Sequence, residues 1–164
     1  MAATVILEAA ASAAQYTDET RAALVATLTD NIAVLLAGDG GEAVTSIHVG
    51  ARRKDALYPV IYVTHLGTDD TDAELGGVRE LQQRFRLYVY NREPKNDGTG
   101  QAGVADLGDR VREVLHSNRD RQSDGLWYYL LCSRMVTGPA PVDQAASKIW
   151  AAQIDLVCIR EVGG

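Results

Sequence analysis

Residues 79–92, RELQQRFRLYVYNR, constrain the fold of this chain more than any other stretch. Leu81, Phe85, Leu87 and Val89 share one parity, and Arg84, Arg86, Tyr88, Tyr90 and Arg92 share the other. Successive side chains of a strand point to opposite faces, so this period of two demands a long strand with one apolar face and one cationic, aromatic face. The apolar face can pack on helices, and the other is left to meet something else.

The covering elements are legible on both sides of that strand. From residue 18, DETRAALVATLTDNIAVLLAG sets Leu24, Leu28, Ile32 and Leu35 on one helical face. Thr17 or Asp18 is the expected N-cap and Gly38 the expected stop. A second helix is expected over residues 101–117, with Val104, Leu107, Val111, Val114 and Leu115 as its apolar stripe. Further strands are expected over 44–49, in LYPVIYVTH after the basic turn ARRKD, over 126–136 and over 147–162. The first two of these, joined by a short turn, read as a hairpin. Residues 67–77, with Asp69, Asp70, Asp72 and Glu74, read as a solvated loop, and residues 93–100 as another; Gly138 and Pro139 open the turn between the last two strands.

The order helix, three strands, helix, two strands predicts an α+β fold: a mostly antiparallel sheet of about four to five strands with two main helices packed on one face. No internal repeat and no long linker divides residues 1–164, so one domain is expected. The alanine-rich opening MAATVILEAAASAAQY leaves three readings open: a short helix, a loose arm, or a segment ordered by a partner.

Several function classes are disfavoured by charge and spacing. A net charge of −6 argues against a surface that grips nucleic acid all over. Residues 5–7 form the longest apolar run near the start, too short for a signal peptide or a membrane span, so the expected location is the cytoplasm with no membrane partner. Cys132 and Cys158 are expected to be reduced and buried. His48, His65 and His116 are not spaced with them as zinc ligands, so no metal is expected.

Gly98-Thr99-Gly100-Gln101-Ala102-Gly103 spells the dinucleotide pattern G-x-G-x-x-G. That turn needs a buried parallel strand ending just before its first glycine, whereas here residues 92–97, Pro94 among them, intervene after an amphipathic strand. DDTDAE resembles the start of a calcium loop, but Leu75 stands where the sharp-turn glycine is needed. Ser46, Thr64, His48 and His65 can be cast as a triad, yet no G-x-S-x-G is present. No catalytic, cofactor-binding or metal residue is therefore assigned, and the chain reads as a non-enzyme without a cofactor.

The Arg/Tyr face admits subunit contact, an intramolecular core, or base stacking and phosphate contact with single-stranded nucleic acid. Trp127, Tyr128, Tyr129 and Trp150 add aromatic area to the neighbouring strands.

Taken together, the amphipathic helix, YPVIYV after a basic turn, FRLYVYNR, the GVADLGDRVREVL helix and two closing strands resemble the tail terminator (tail completion, or tail-to-head joining) proteins of long-tailed bacteriophages and related particles, over residues 18–162. The resemblance implies a structural virion protein whose homo-oligomer ring, a hexamer in such proteins, caps the tail tube and stops its polymerisation. The implied partners are further copies of the chain, the tail tube protein and neck or head connector proteins, with DNA passing through the ring without specific binding. The implied location is the virion tail or neck, after assembly in the host cytoplasm. Arg84, Arg86, Tyr88, Tyr90 and Arg92 are the candidate subunit-interface residues. The alternatives are a neck or head-completion connector component, a small nucleotide-binding enzyme using the glycine loop, and a single-stranded nucleic-acid-binding domain using the Arg/Tyr strand.

Overall fold

In the computed structural model, residues 2–38, 41–50, 53, 56–71, 79–92, 99–119, 129–139 and 149–162 are described. Helix α1 (Ala2–Asp30) is followed by a 3₁₀ turn at Ile32–Val34, then β1 (Ser46–Val49), β2 (Val60–Thr71), β3 (Arg79–Arg92), α2 (Thr99–Ser117), β4 (Tyr129–Pro139) and β5 (Ile149–Val162). The strands form one five-stranded sheet in the order β1-β2-β3-β5-β4. Three of the four pairings are antiparallel, so the expected α+β architecture is what the structure has.

β3 lies at the centre. It pairs with β2 from Val60↔Tyr90 to Thr71↔Glu80, and with β5 from Arg79↔Val162 to Arg92↔Ile149. The registers bring Ile61 and Val63 of β2, Phe85, Leu87 and Val89 of β3, and Ala152, Ile154 and Leu156 of β5 onto one face. Both helices cover that face. Leu24 and Leu28 of α1 and Val104, Leu107, Val111 and Leu115 of α2 are fully buried in the same cluster.

α2 sits especially close to the sheet. A Cβ on Gly108 would lie 3.1 Å from the Ala152 Cβ and 2.8 Å from the Met135 sulfur, so a larger residue there would force the helix outward.

Five expectations need correction. β1 and β2 are not a hairpin, because Ser46↔Val60 through Val49↔Val63 pair in parallel. β1 is only four residues long, so the connection over residues 50–59 is long enough to carry the chain back to its starting end. Backbone hydrogen bonds from Thr45 N to Pro59 O (2.8 Å) and from Gly50 N to Val63 O (3.1 Å) fasten both ends of that return.

α1 begins at Ala2, ahead of the expected caps at Thr17 and Asp18, since alanine is the strongest helix former and nothing in that stretch breaks the pattern. It also ends at Asp30 rather than near Gly38. Asn31 Nδ2 donates to the Thr27 carbonyl at 2.8 Å, satisfying a last-turn acceptor, and Leu35 reaches the core from beyond the 3₁₀ turn. Residues 67–71 are strand, not loop, paired with the start of β3 after a bulge between His65 and Gly67. Gly138 and Pro139, expected in a turn, close β4 opposite Ala151 and Trp150.

The two faces make a testable contrast. Leu87→Ala empties a site in the centre of the core and should lower the unfolding free energy by about 2–5 kcal/mol in urea titration. Val136→Ala, at a side chain 44% exposed, should change it by less than about 0.5 kcal/mol.

Candidate functional site

The alternation of β3 places all five candidate residues on the face away from the helices, but their surroundings differ. Arg86 stands opposite Asp155 of β5 and donates to it twice, Nε to Oδ1 at 2.6 Å and Nη2 to Oδ2 at 3.1 Å. These bonds, with a further one to Tyr88, raise the Arg86 pKa above its already high usual value, so the guanidinium is permanently charged. Arg84 reaches Asp69 of β2 at 3.2 Å, and both of those side chains are more than half exposed. That exposed pair contributes little to stability.

Tyr90 is only 8% exposed. It belongs to a second, smaller core with Val60, Tyr62, Ile149 and Ala151, onto which Ala56, Tyr58 and Tyr88 pack. Tyr62 meets Tyr90 edge-on with ring centroids 6.0 Å apart, and Tyr88 stacks on Tyr90 at 6.0 Å and 6° between planes. The Arg92 guanidinium lies 5.7 Å from the centre of the Tyr58 ring. Ala56 and Tyr58 thus cover one end of this face, which makes Tyr90 an intramolecular core residue.

Arg84, Arg86 and Tyr88 remain at the surface. Beside them are the half-buried Gln153 and Val157 of β5 and the exposed Val136 of β4. Among the described residues no helix or strand packs over this part of the sheet.

The remaining sequence candidates are dispersed. His48 faces the same side as Tyr62, with ring centroids 5.3 Å apart, whereas His65 pairs with Phe85 and packs on its ring from the helix side at 5.2 Å. The Thr64 hydroxyl donates to the Gly50 carbonyl at 3.3 Å, so these groups do not assemble a triad. The strand before the glycine pattern is antiparallel to both neighbours. Of its glycines, Gly103 serves close packing: a Cβ there would lie 3.0 Å from Asn91 Nδ2.

Gly98, Asp72, Glu74, Leu75, Trp127 and Tyr128 lie outside the described residues, as do the side chains of Asp70, Cys132 and Tyr129. Among the described residues no three His, Cys, Asp or Glu side chains come together as a metal site. Cys158 is a buried free thiol, and Trp150 packs partly buried against the helix-side core.

Asp155 and Asp69, the partners of the arginines, were not singled out in the sequence. A signal for Asp155 exists, since it is an isolated acid inside the otherwise apolar run IDLVCI.

Burial against Phe85 lowers the pKa of His65 below 6.5, with a bond to the Gly67 backbone partly opposing the shift and the Arg21 charge adding to it. A depressed histidine is protonated first in the unfolded chain, so its contribution to stability is lost as pH falls through 6.5 towards the lower folded value. Urea midpoints measured between pH 7.5 and 5 should therefore drop more in the wild type than in His65→Gln. Equal slopes would remove this role.

No protein-family model matches the chain, and neither does any curated protein. Among the solved structures that resemble it is a chain from the virion of a native gene transfer agent particle, 15% identical with a TM-score of 0.44, covering 72% of this chain and 80% of that one.

Proposed function

We propose that this chain is a structural subunit of a tailed, phage-like particle, a tail terminator whose copies close into a ring on the end of the tail tube, stop its growth and present a surface to the neck. The observation that carries this reading is the one-sided sheet. Both helices pack on one face, and the Arg84, Arg86 and Tyr88 region of the other has no described element over it. Tyr and Arg are favoured where proteins meet, and a face of this composition on a rigid sheet suits a subunit contact. The element order that underlies the tail-terminator resemblance, helix, three strands, helix, two strands, runs through the whole fold.

The same geometry weighs against single-stranded nucleic acid as the ligand. Arg84 and Arg86 are matched by Asp69 and Asp155, so this part of the face offers phosphates little net positive charge. Prepaired charges do suit a protein contact, because each arginine enters the interface with its counter-charge already in place. In this reading the ring has six copies, the protein resides in the virion after cytoplasmic assembly, its role is not enzymatic, and DNA passes through without specific contacts. A closed ring requires heterologous contacts between two different patches of each subunit.

Mixing purified protein with tail tubes and imaging by negative-stain electron microscopy should show rings on one tube end, with native mass spectrometry giving six copies. Arg84→Ala together with Val136→Glu, at two largely exposed side chains, should reduce ring formation roughly tenfold while leaving the melting temperature nearly unchanged. A protein that ignores tubes and binds neck components would instead be a connector, and one that stays monomeric with both would refute the assembly role.

A further inference from the structure

β1 and β4 are the outermost strands of the sheet, and among the described residues no strand lies beyond either. An edge strand presents a row of N–H and C=O groups without ladder partners, and proteins ordinarily blunt it with lysine, proline, a bulge or an inward charge. Those devices are unevenly placed here. β4 is interrupted by a bulge between Cys132 and Arg134 and ends on Pro139, which leaves Met135-Val136-Thr137-Gly138 with none of them. β1, Ser46-Ile47-His48-Val49, carries none either.

The two unguarded windows match in length and in level. Following the registers across the sheet joins Ser46 to Gly138 through Val60, Tyr90 and Ala151, and His48 to Val136 through Tyr62, Tyr88 and Gln153. Ile47 and Val49 fall on the rows of Thr137 and Met135 in the same way. The windows also run in opposite directions, since one parallel and three antiparallel pairings separate them. Their faces agree as well. Ile47 and Met135 pack against the helix-side core, whereas His48 meets Tyr62 on the other face and Val136 shares that face. Each edge carries an uncovered valine, Val49 at 48% and Val136 at 44% exposed. A Cβ on Gly138 would meet nothing within 4 Å, so the space beside it is open.

We infer that the β1 edge of one copy pairs with the β4 edge of the next as an antiparallel strand pair, with Ser46 opposite Gly138, Ile47 opposite Thr137, His48 opposite Val136 and Val49 opposite Met135. This contact presupposes the ring reading above and supplies the backbone link from copy to copy. A sideways displacement alone brings two copies into this register, with both sets of helices on the same side. Val49 then lies beside Met135 and loses its exposure, and the N–H and C=O groups of both edges gain partners. Because it joins two different edges, the contact is heterologous and can close a ring, whereas β4 against β4 would stop at a pair. Val136 belongs both to this edge and to the face of Arg84, Arg86 and Tyr88, so the two contacts are continuous.

Disulfide cross-linking tests this at single residues. β1 and β4 stand four strand spacings apart, about 19 Å, so one cysteine on each cannot join within a single copy. His48→Cys with Val136→Cys, and separately Ser46→Cys with Gly138→Cys, should on mild oxidation give about tenfold or more linked copies over the parent chain, whose own Cys132 and Cys158 set the background. His48→Cys with Thr137→Cys, one residue out of register and so on opposite faces, should stay near that background. His48→Cys alone and Val136→Cys alone should also stay there, and their mixture should give dimers.

Each pair is oxidised with and without tail tubes, beside electron microscopy of the wild type. Rings on tubes without cross-links from either pair would overturn the edge contact and leave the ring reading standing. Cross-linked copies of a protein that never caps a tube would uphold the edge contact and overturn the ring reading. Neither rings nor cross-links would overturn both. Dimers of Val136→Cys alone, at the yield of the mixture, would overturn the β1–β4 contact in favour of β4 against β4.

Discussion

The central strand is bonded along its length on both sides, and its register decides nearly everything else. Because β3 alternates strictly, a slip of one residue against β2 or β5 would turn Phe85, Leu87 and Val89 away from the helices and drive Arg84 and Arg86 into the core. The cost of burying those cations unpaired holds the register as firmly as the gain from burying the apolar set. One face is thereby committed to α1 and α2, and Arg84, Arg86 and Tyr88 are set on the other.

Polar side chains on the covered face fix the position of α1. Gln83, fully buried, accepts from the Thr20 hydroxyl at 2.5 Å. Arg160 places its guanidinium 4.4 Å from the centre of the Tyr16 ring and Nη1 2.9 Å from Glu19 Oε2, close enough for an ion pair though not aligned as a hydrogen bond. These contacts pin the helix at the end of the sheet where β3 starts, while Leu24 and Leu28 fill the space between. At the other end, the Gly38 N–H donates to Asp106 at 3.0 Å and links the segment after α1 to α2.

How much of this the sequence disclosed follows from the range of each determinant. β3 and α2 were legible to within two residues because their periodicities are internal to the segment. The parallel pairing of β1 with β2 was not, since it depends on the return path of residues 50–59 rather than on either strand's composition. The start of α1 was missed because Thr17 and Asp18 look like caps only when the alanine run before them is not itself helical.

At the site, parity alone gathered Arg84, Arg86, Tyr88, Tyr90 and Arg92. It could not separate the buried Tyr90 from the surface Tyr88, because that difference is made by Ala56 and Tyr58 folding over one end. Asp155 lies 69 residues from Arg86 in sequence and joins it only through the β3–β5 register. A cleft lined by Glu42, Leu57, Tyr58, Asn91, Arg92 and Gly100 draws on four separate segments and leaves no local pattern.

In a tail-terminator ring, the face opposite the helices would be the one covered on assembly. Hydroxyl-radical footprinting read by mass spectrometry compares the free chain with the tube-bound ring at single residues. Tyr88 should lose most of its oxidation in the ring, while His116, exposed on α2, should stay as reactive as before. Tyr88 oxidised equally in both states, with protection falling on the helices instead, would contradict it.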